Sequence, residues 1–125
     1  MNANILVDKS FLFALRIIKL QKYLVSQHRE YVLSKQILRS GTSVGALIRE
    51  AQYAQSRADF LHKLNIALKE ANETEYWLLL LYHSDYIDKK MFESIEPDIK
   101  ELLKLLISIT KTDRKSTRLN SSHRL

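Results

Sequence analysis

Cysteine, glycine, proline and long apolar runs are absent or scarce in this chain of 125 residues. The absence of cysteine excludes disulfides and thiolate metal sites, and it is compatible with a reducing cytoplasm. Two glycines and one proline leave few points at which a helix would break, which favours long helices. The longest apolar run, from Trp77 to Tyr82, is far shorter than the roughly 20 residues that span a bilayer, and the first residues lack a signal peptide's basic region. We therefore expect a cytoplasmic protein with no membrane segment.

The formal net charge of +6 is unevenly distributed along the chain. Residues 113–125 carry four of the 20 Lys and Arg residues but only one of the 14 acidic residues, so residues 1–112 are mildly basic. This last segment has no helical periodicity, and we predict a disordered tail behind a single domain formed by residues 1–112. A native basic tail would often bind nucleic acid. However, this tail resembles the in-frame translation of a sequencing-library adapter, and we interpret it as foreign to the native protein.

Apolar residues recur at helical spacing in four segments, and no segment alternates like a strand. The predicted helices cover about 9–27, 33–55, 56–81 and 97–111, the last preceded by a short turn of helix near 89–92. Asp8 or Ser10 is expected to cap the first helix, and Ser56 with Asp59 resembles a capping box for the third. Pro97 suits the first turn of the fourth helix. Short connections favour antiparallel neighbours, so the predicted fold is an all-α, up-down-up-down four-helix bundle.

The only two glycines, Gly41 and Gly45, lie one turn apart in the second predicted helix. Each costs about 0.5–1 kcal/mol relative to alanine there, so a compensating reason is needed. The run from Ser40 to Gly45 superficially suggests a phosphate-binding loop, but it lacks the Gly-Lys-Ser/Thr ending and a preceding strand. We expect instead that the glycines admit a neighbouring backbone.

The first predicted helix is apolar over more than half of its circumference. Leu12, Leu15 and Val25 interrupt a basic face that lies opposite the expected core. A helix with this pattern usually buries a second face against a neighbour. The pattern therefore indicates a homo-oligomer.

No arrangement of residues in the sequence predicts catalysis. A di-metal bundle needs paired Glu-x-x-His motifs, and only Asp59 with His62 comes near that spacing. Glu70 and Glu73 could act as an acid/base pair, but helical pairing with residues such as Lys69 is the simpler interpretation. We expect no enzyme activity, no metal, no cofactor and no small-molecule substrate.

Three segments resemble a known protein family. They are Ser10–Leu20, Gln36–Ala51 and Ser56–Leu78. The family is the four-helix-bundle proteins first noticed in intervening sequences of bacterial large-subunit ribosomal RNA genes, and the resemblance covers about residues 5–112. It implies short antiparallel bundles that assemble as ring-like pentamers, without an established enzyme activity. It also implies a relation to the basic, pentameric accessory protein of diversity-generating retroelements, which partners a reverse transcriptase and binds nucleic acid.

Ten residues match positions that are characteristic of this family. They are Arg39, Gly41, Gly45, Glu50, Lys69, Glu70, Glu73, Thr74, Tyr76 and Trp77. Leu47 departs from the pattern, which usually has Asn there.

Together, the pattern and the resemblance give two hypotheses for function. The first is a homo-oligomeric, pentameric module that binds RNA or DNA through a basic surface, with phosphates contacted by Arg39, Arg49, Arg16 and Lys19. In a ring of subunits these charges repeat around an axis and their field adds. The second is a protein-interaction adaptor, such as an accessory subunit of a reverse transcriptase.

Overall fold

The computed structural model describes the backbone of residues 3–122 and the side chains of residues 5–111. Its helices are α1 (Ala3–His28), α2 (Leu33–Ala51), α3 (Arg57–His83) and α4 (Lys89–Ser122). Helices α1 and α3 each pack between α2 and α4. The predicted all-α four-helix bundle is confirmed, and residues 3–122 contain no strand.

Contacts between α1 and α4 show that neighbouring helices run in opposite directions. Lys9, near the start of α1, pairs with Glu101 at 3.0 Å. Arg16, two turns further along α1, pairs at 2.7 Å with Asp98, which lies earlier in α4. The second half of α1 and the first half of α4 therefore lie at the same end of the bundle.

The core is built from one stripe of side chains on each helix. Side chains that are almost completely buried include Leu6, Phe13, Ile17 and Leu24 of α1, Ile37, Val44 and Ile48 of α2, Leu64, Ala67, Ala71, Leu78 and Leu81 of α3, and Ile99, Leu102 and Leu106 of α4. Their three- and four-residue spacing is that of one face of a helix. None of the described helices has the length and apolar content needed to cross a membrane.

The two glycines lie inside α2, and neither has a positive φ angle. A Cβ atom at Gly45 would lie 3.2 Å from the backbone oxygen of Ser10 on α1, which confirms the expected close approach of a neighbouring backbone. At Gly41 the neighbour is instead the side chain of Ile17, with Cγ1 and Cγ2 each 2.9 Å from such a Cβ. The glycines serve the packing of α1 on α2.

Helix α1 begins at Ala3, six residues before its predicted start. The expectation that Asp8 or Ser10 caps it is therefore wrong. Ser10 lies inside the helix, where its Oγ donates to the backbone oxygen of Val7 at 3.2 Å. The helix extends because Leu6, one turn before Ser10, is buried in the core, and tertiary packing outweighs a local cap signal.

The connections on either side of α2 are fixed by side-chain caps. The predicted cap of α3 is confirmed, since the Ser56 hydroxyl accepts the Asp59 N–H at 3.1 Å. Helix α2 ends at Ala51 rather than near residue 55, because the chain turns before this cap. The start of α2 has a cap that the sequence analysis missed. The Glu30 carboxylate accepts backbone N–H groups from residues 32, 33 and 34 at 3.2, 3.0 and 2.7 Å.

Helix α4 is continuous from Lys89, so the predicted start at Pro97 is wrong. Pro97 lies inside the helix on its exposed side, where water can satisfy the carbonyl that loses its N–H donor. The buried stripe runs unbroken through Phe92, Ile95 and Ile99, and burying it favours one helix.

Helix α4 also ends later than the predicted end near residue 111. The backbone is helical to Ser122, across most of the predicted tail, and no glycine or proline follows Pro97 to end the helix. Side chains from residue 112 onward lie outside the described residues. The domain boundary at residue 112 and the foreign origin of the tail stay predictions.

Candidate nucleic-acid interface

Arg39, the first of the predicted phosphate-binding residues, lies on the exposed side of α2 and pairs with two carboxylates of α3. Its Nη1 lies 3.0 Å from Oε2 of Glu70, and its Nη2 lies 2.5 Å from Oε2 of Glu73. The two glutamates are three residues apart on a helix, so both face Arg39. Two negative charges therefore offset the charge of Arg39 in the isolated subunit.

The two glutamates respond differently to their shared guanidinium. The hydrogen bond from Arg39 lowers the pKa of Glu73 below its usual value. Burial raises the pKa of Glu70, and a hydrogen bond with Glu73 adds to this effect, although Arg39 acts in the opposite direction. The hydrogen bonds to both carboxylates raise the pKa of Arg39. Glu73 is therefore the more firmly ionised partner.

A buried hydrogen bond joins the residues that directly follow Arg39 and Glu73 in the chain. The Thr74 hydroxyl donates to Ser40 Oγ at 2.9 Å, and both residues are fully buried between α2 and α3. A satisfied polar pair in a core fixes the register of the two helices. Ser40 and Thr74 thus extend the structural role of the neighbouring ion pair.

Arg16 holds α1 to α4 in a similar way. Its Nη1 donates to Asp98 at 2.7 Å and to the backbone oxygen of Ser94 at 2.9 Å. Its Nη2 donates to the Ser94 hydroxyl at 2.6 Å. The guanidinium is consequently anchored beside the turn of α4 that contains Pro97.

Lys19 is exposed on α1 and makes no ion pair with a described side chain. It lines a groove of about 360 Å³ between α1 and α4. The groove is lined by Arg16, Lys19, Leu20, Tyr23, Lys90, Met91, Ser94 and Ile95. We call it the α1–α4 groove; it has an apolar floor and a cationic rim.

Arg49 is exposed on α2 and, within residues 5–111, has no ion-pair partner. It borders a smaller groove, of about 210 Å³, between α1 and α2. Val7, Phe11 and Thr42 are among the other lining residues. This groove is mainly apolar, with Arg49 as its charged side chain.

The four predicted residues therefore occupy three different places on the subunit. Arg16 and Lys19 line the same groove, Arg39 lies between α2 and α3, and Arg49 lies between α1 and α2. One isolated subunit does not gather them into a single patch. Their joint action would require an assembly of subunits.

The solvent-facing side of α1 is divided along its length. Its first half carries exposed apolar side chains, with Phe11 61% and Leu12 60% exposed, and Leu15 also exposed. Its second half carries exposed Lys19 and Lys22. We call these the apolar half and the cationic half of the α1 face.

Two members of the α1–α4 groove were missed by the sequence analysis. Lys90 lies on the opposite helix from Lys19, and Tyr23 is half-buried on α1. A prediction of one continuous α4 through Pro97 would have placed Lys90 on the helix that packs against α1.

Leu47, which departs from the family pattern, is partly buried and packs against the core.

The fold and this surface define a class: small antiparallel helical bundles with unpaired cations in a groove. Residues 2–108 match the family model described as "23S rRNA-intervening sequence protein", and the chain belongs to that family. A crystal structure of a protein of unknown function from Bacteroides thetaiotaomicron, assigned to the S23 ribosomal protein family, is 63% identical with a TM-score of 0.86. The match covers 89% of this chain and 99% of that one. No functionally curated relative matches the chain.

Proposed function

We propose that this protein is a non-enzymatic homo-oligomeric module, a pentameric ring, that binds RNA through a cationic surface. The observation that carries the proposal is the divided face of α1. Its apolar half offers a contact between copies, and its cationic half lies immediately beyond that contact. Assembly through the first would bring the lysines of neighbouring copies close together.

The apolar half supports self-association because large exposed apolar side chains in one contiguous patch usually mark an interface. Phe11, Leu12 and Leu15 lie within two turns of α1 and form this patch. Head-to-tail contacts between copies form a ring when the rotation that relates the copies closes. In such a ring the unpaired cations repeat around the axis, so their potentials add.

The choice of RNA rests on the family and on charge. The family name ties its members to intervening sequences of 23S rRNA, and exposed lysines attract phosphates of any sequence. Lys19 and Arg49, which lack partners among the described side chains, would contribute the largest share. Arg16 and Arg39 would contribute less, because carboxylates already offset their charges.

The test combines oligomer mass with RNA binding on the same samples. The full chain would be titrated with a labelled structured RNA over a range of salt, with mass measured by light scattering. We expect a pentamer whose affinity falls linearly in log salt, with a slope that counts the phosphates contacted. A second form, with the tail's Arg114, Lys115, Arg118 and Arg124 changed to Gln, removes any contribution of the tail.

Two double variants and one control variant connect assembly to binding. Leu12→Glu with Leu15→Glu should give monomers that bind RNA much more weakly. Ile107 is an exposed apolar residue on α4, and Ile107→Glu should leave both the oligomer mass and the RNA affinity unchanged. Lys19→Glu with Arg49→Glu should weaken binding while leaving the mass unchanged. No binding by wild-type protein at low salt would refute the proposal.

The exposed apolar half also fits the alternative function, a protein-interaction adaptor. A partner protein such as a reverse transcriptase would cover Phe11 and Leu12 in place of a second copy. A monomer that does not bind RNA, together with a stable complex lost in Leu12→Glu, would establish this alternative.

A further inference from the structure

We propose that the α1–α4 groove holds one unpaired nucleotide of single-stranded RNA, with the base on Tyr23 and the phosphate between Lys19 and Lys90. The proposal rests on the proposed function, that the protein binds RNA, and names where and in which form. Three features of the groove support this assignment: its apolar floor, its cationic rim and the aromatic side chains that hold Tyr23.

The floor of the groove is apolar and large enough for a small ligand. Leu20 and Ile95 are buried at its base, and Tyr23 and Met91 are half-buried along it. Its volume of about 360 Å³ lies within the range of roughly 300–1,000 Å³ of small-ligand sites. A flat aromatic base would cover this floor and remove apolar surface from water.

The rim is cationic on both sides. Lys19 on α1 and Lys90 on α4 are exposed, and within residues 5–111 neither has an ion-pair partner. The nearby acids are engaged elsewhere, Asp98 with Arg16 at 2.7 Å and Glu93 with Lys89 at 3.9 Å. The charge of the two lysines thus favours an anion above the apolar floor, such as the phosphate of a nucleotide.

The third feature is the support of the Tyr23 ring by other aromatic side chains. His28 lies edge-on to Tyr23, with ring centroids 5.4 Å apart, and its Nε2 is 3.3 Å from the tyrosine hydroxyl. His28 in turn lies edge-on to Tyr86 at 5.5 Å. A ring held in this way is ordered before a base arrives, which reduces the entropy lost on stacking.

These features favour an unpaired nucleotide over a duplex. Aromatic platforms beside cationic grooves are typical of proteins that bind single strands, because any exposed base can stack. A base inside a helix has both faces covered by its neighbours and is not free to enter the groove. The site should consequently prefer single-stranded RNA and show little dependence on sequence.

The experiment compares the full-length protein with groove variants and charge-matched controls. A labelled single-stranded RNA oligonucleotide of mixed sequence would be titrated at several salt concentrations. Lys19→Glu with Lys90→Glu should weaken binding about tenfold or more at low salt and reduce the salt slope by about 0.7, the value for one phosphate of a single strand. Lys104→Glu with Lys111→Glu changes the net charge by the same amount at exposed positions of α4. This control should reduce RNA affinity much less.

Tyrosine variants test the stacking directly. Tyr23→Leu should weaken single-strand binding about 5- to 100-fold, whereas Tyr23→Phe, which keeps the ring, should bind like wild type. The same RNA annealed to its complement should bind more weakly and should be insensitive to Tyr23→Leu. Circular dichroism of each variant confirms that the helices persist.

The outcomes separate this proposal from the proposed function. The groove assignment is overturned, and RNA binding stands, if wild type binds RNA and either of two results is found. The first is an equal loss of affinity in the lysine variant of the groove and in its α4 control. The second is an unchanged affinity in Tyr23→Leu. If wild type binds no RNA at low salt, both proposals fail. If Tyr23→Phe and Tyr23→Leu weaken RNA binding equally, the contact between the Tyr23 hydroxyl and His28 matters rather than stacking. That result would also refute the assignment.

Discussion

Replacing Gly41 by alanine should destabilise the bundle, whereas the same change at Gly45 should be nearly neutral. A new Cβ at Gly41 would lie 2.9 Å from both Cγ1 and Cγ2 of Ile17, a fully buried side chain. These carbons are attached directly to the Ile17 Cβ, so no flexible chain end can swing away. At Gly45 the nearest atom is the Ser10 carbonyl oxygen at 3.2 Å, and a shift of a few tenths of an ångström relieves the contact.

The magnitude follows from two opposing contributions. Alanine in place of a mid-helix glycine contributes about 0.5–1 kcal/mol of stability. Overpacking a filled core costs about 1–3 kcal/mol. Gly41→Ala should therefore lower the free energy of unfolding by about 1 kcal/mol, within a range of about 0–2.5 kcal/mol. For Gly45→Ala the two contributions nearly cancel, and the change should stay within about 0.5 kcal/mol.

Urea unfolding followed by circular dichroism at one fixed protein concentration measures both changes, since assembly would make stability depend on concentration. A double-mutant cycle with Ile17→Ala identifies the cause. Removing both Cγ atoms should reverse the sign, so that Gly41→Ala then stabilises the protein by about 0.5–1 kcal/mol. Equal costs of Gly41→Ala in both backgrounds would refute the argument from Ile17.

Three further changes test the polar contacts. At pH values above 4.5, the ordinary pKa of a glutamate, Glu73→Gln should lower the free energy of unfolding by about 0.5 kcal/mol. Because the folded-state pKa is depressed, this difference should disappear as the pH falls through that lower value, and a pH-independent difference would contradict it. Glu30→Ala removes the carboxylate that caps α2 and should cost about 1–2 kcal/mol in urea unfolding, with Glu30→Asp as the control that keeps the charge. Ser56→Ala should cost about 1 kcal/mol, and Ser56→Asp, which retains a cap acceptor, should be nearly neutral.

Periodicity was sufficient to predict the core faces of α2 and α3. The residues at three- and four-residue spacing from Ile37 to Ala51, and from Leu64 to Leu81, are buried. Burying a stripe of apolar side chains is the dominant stabilisation of a helix in a bundle, so the pattern determines the face. The boundary predictions were wrong where a local rule competed with this pattern. Ser10 and Pro97 carry local signals for a helix start, yet the apolar stripe continues past both.

The ion pairs were beyond prediction because they depend on which helices become neighbours. Arg39 meets Glu70 and Glu73 more than thirty positions away in the chain, and Arg16 meets Asp98 across 82 positions. Sequence spacing indicates which charges share one helix face, but it does not indicate which charges lie opposite on another helix. Four cations were therefore grouped as one site, although two of them hold the bundle together.

The residues by which the family is recognised serve mainly the fold, which bears on how its function should be sought. Gly41 and Gly45 set the approach of α1 to α2, and Arg39 joins α2 to α3 through Glu70 and Glu73. Reversing the charge of Arg39 would remove a phosphate contact and break an ion pair together, so a loss of binding would not distinguish the two. Substitution of unpaired Lys19 or Lys90 changes charge without breaking a described contact. A ligand site in this family is best tested at such positions, where folding and binding can be measured separately.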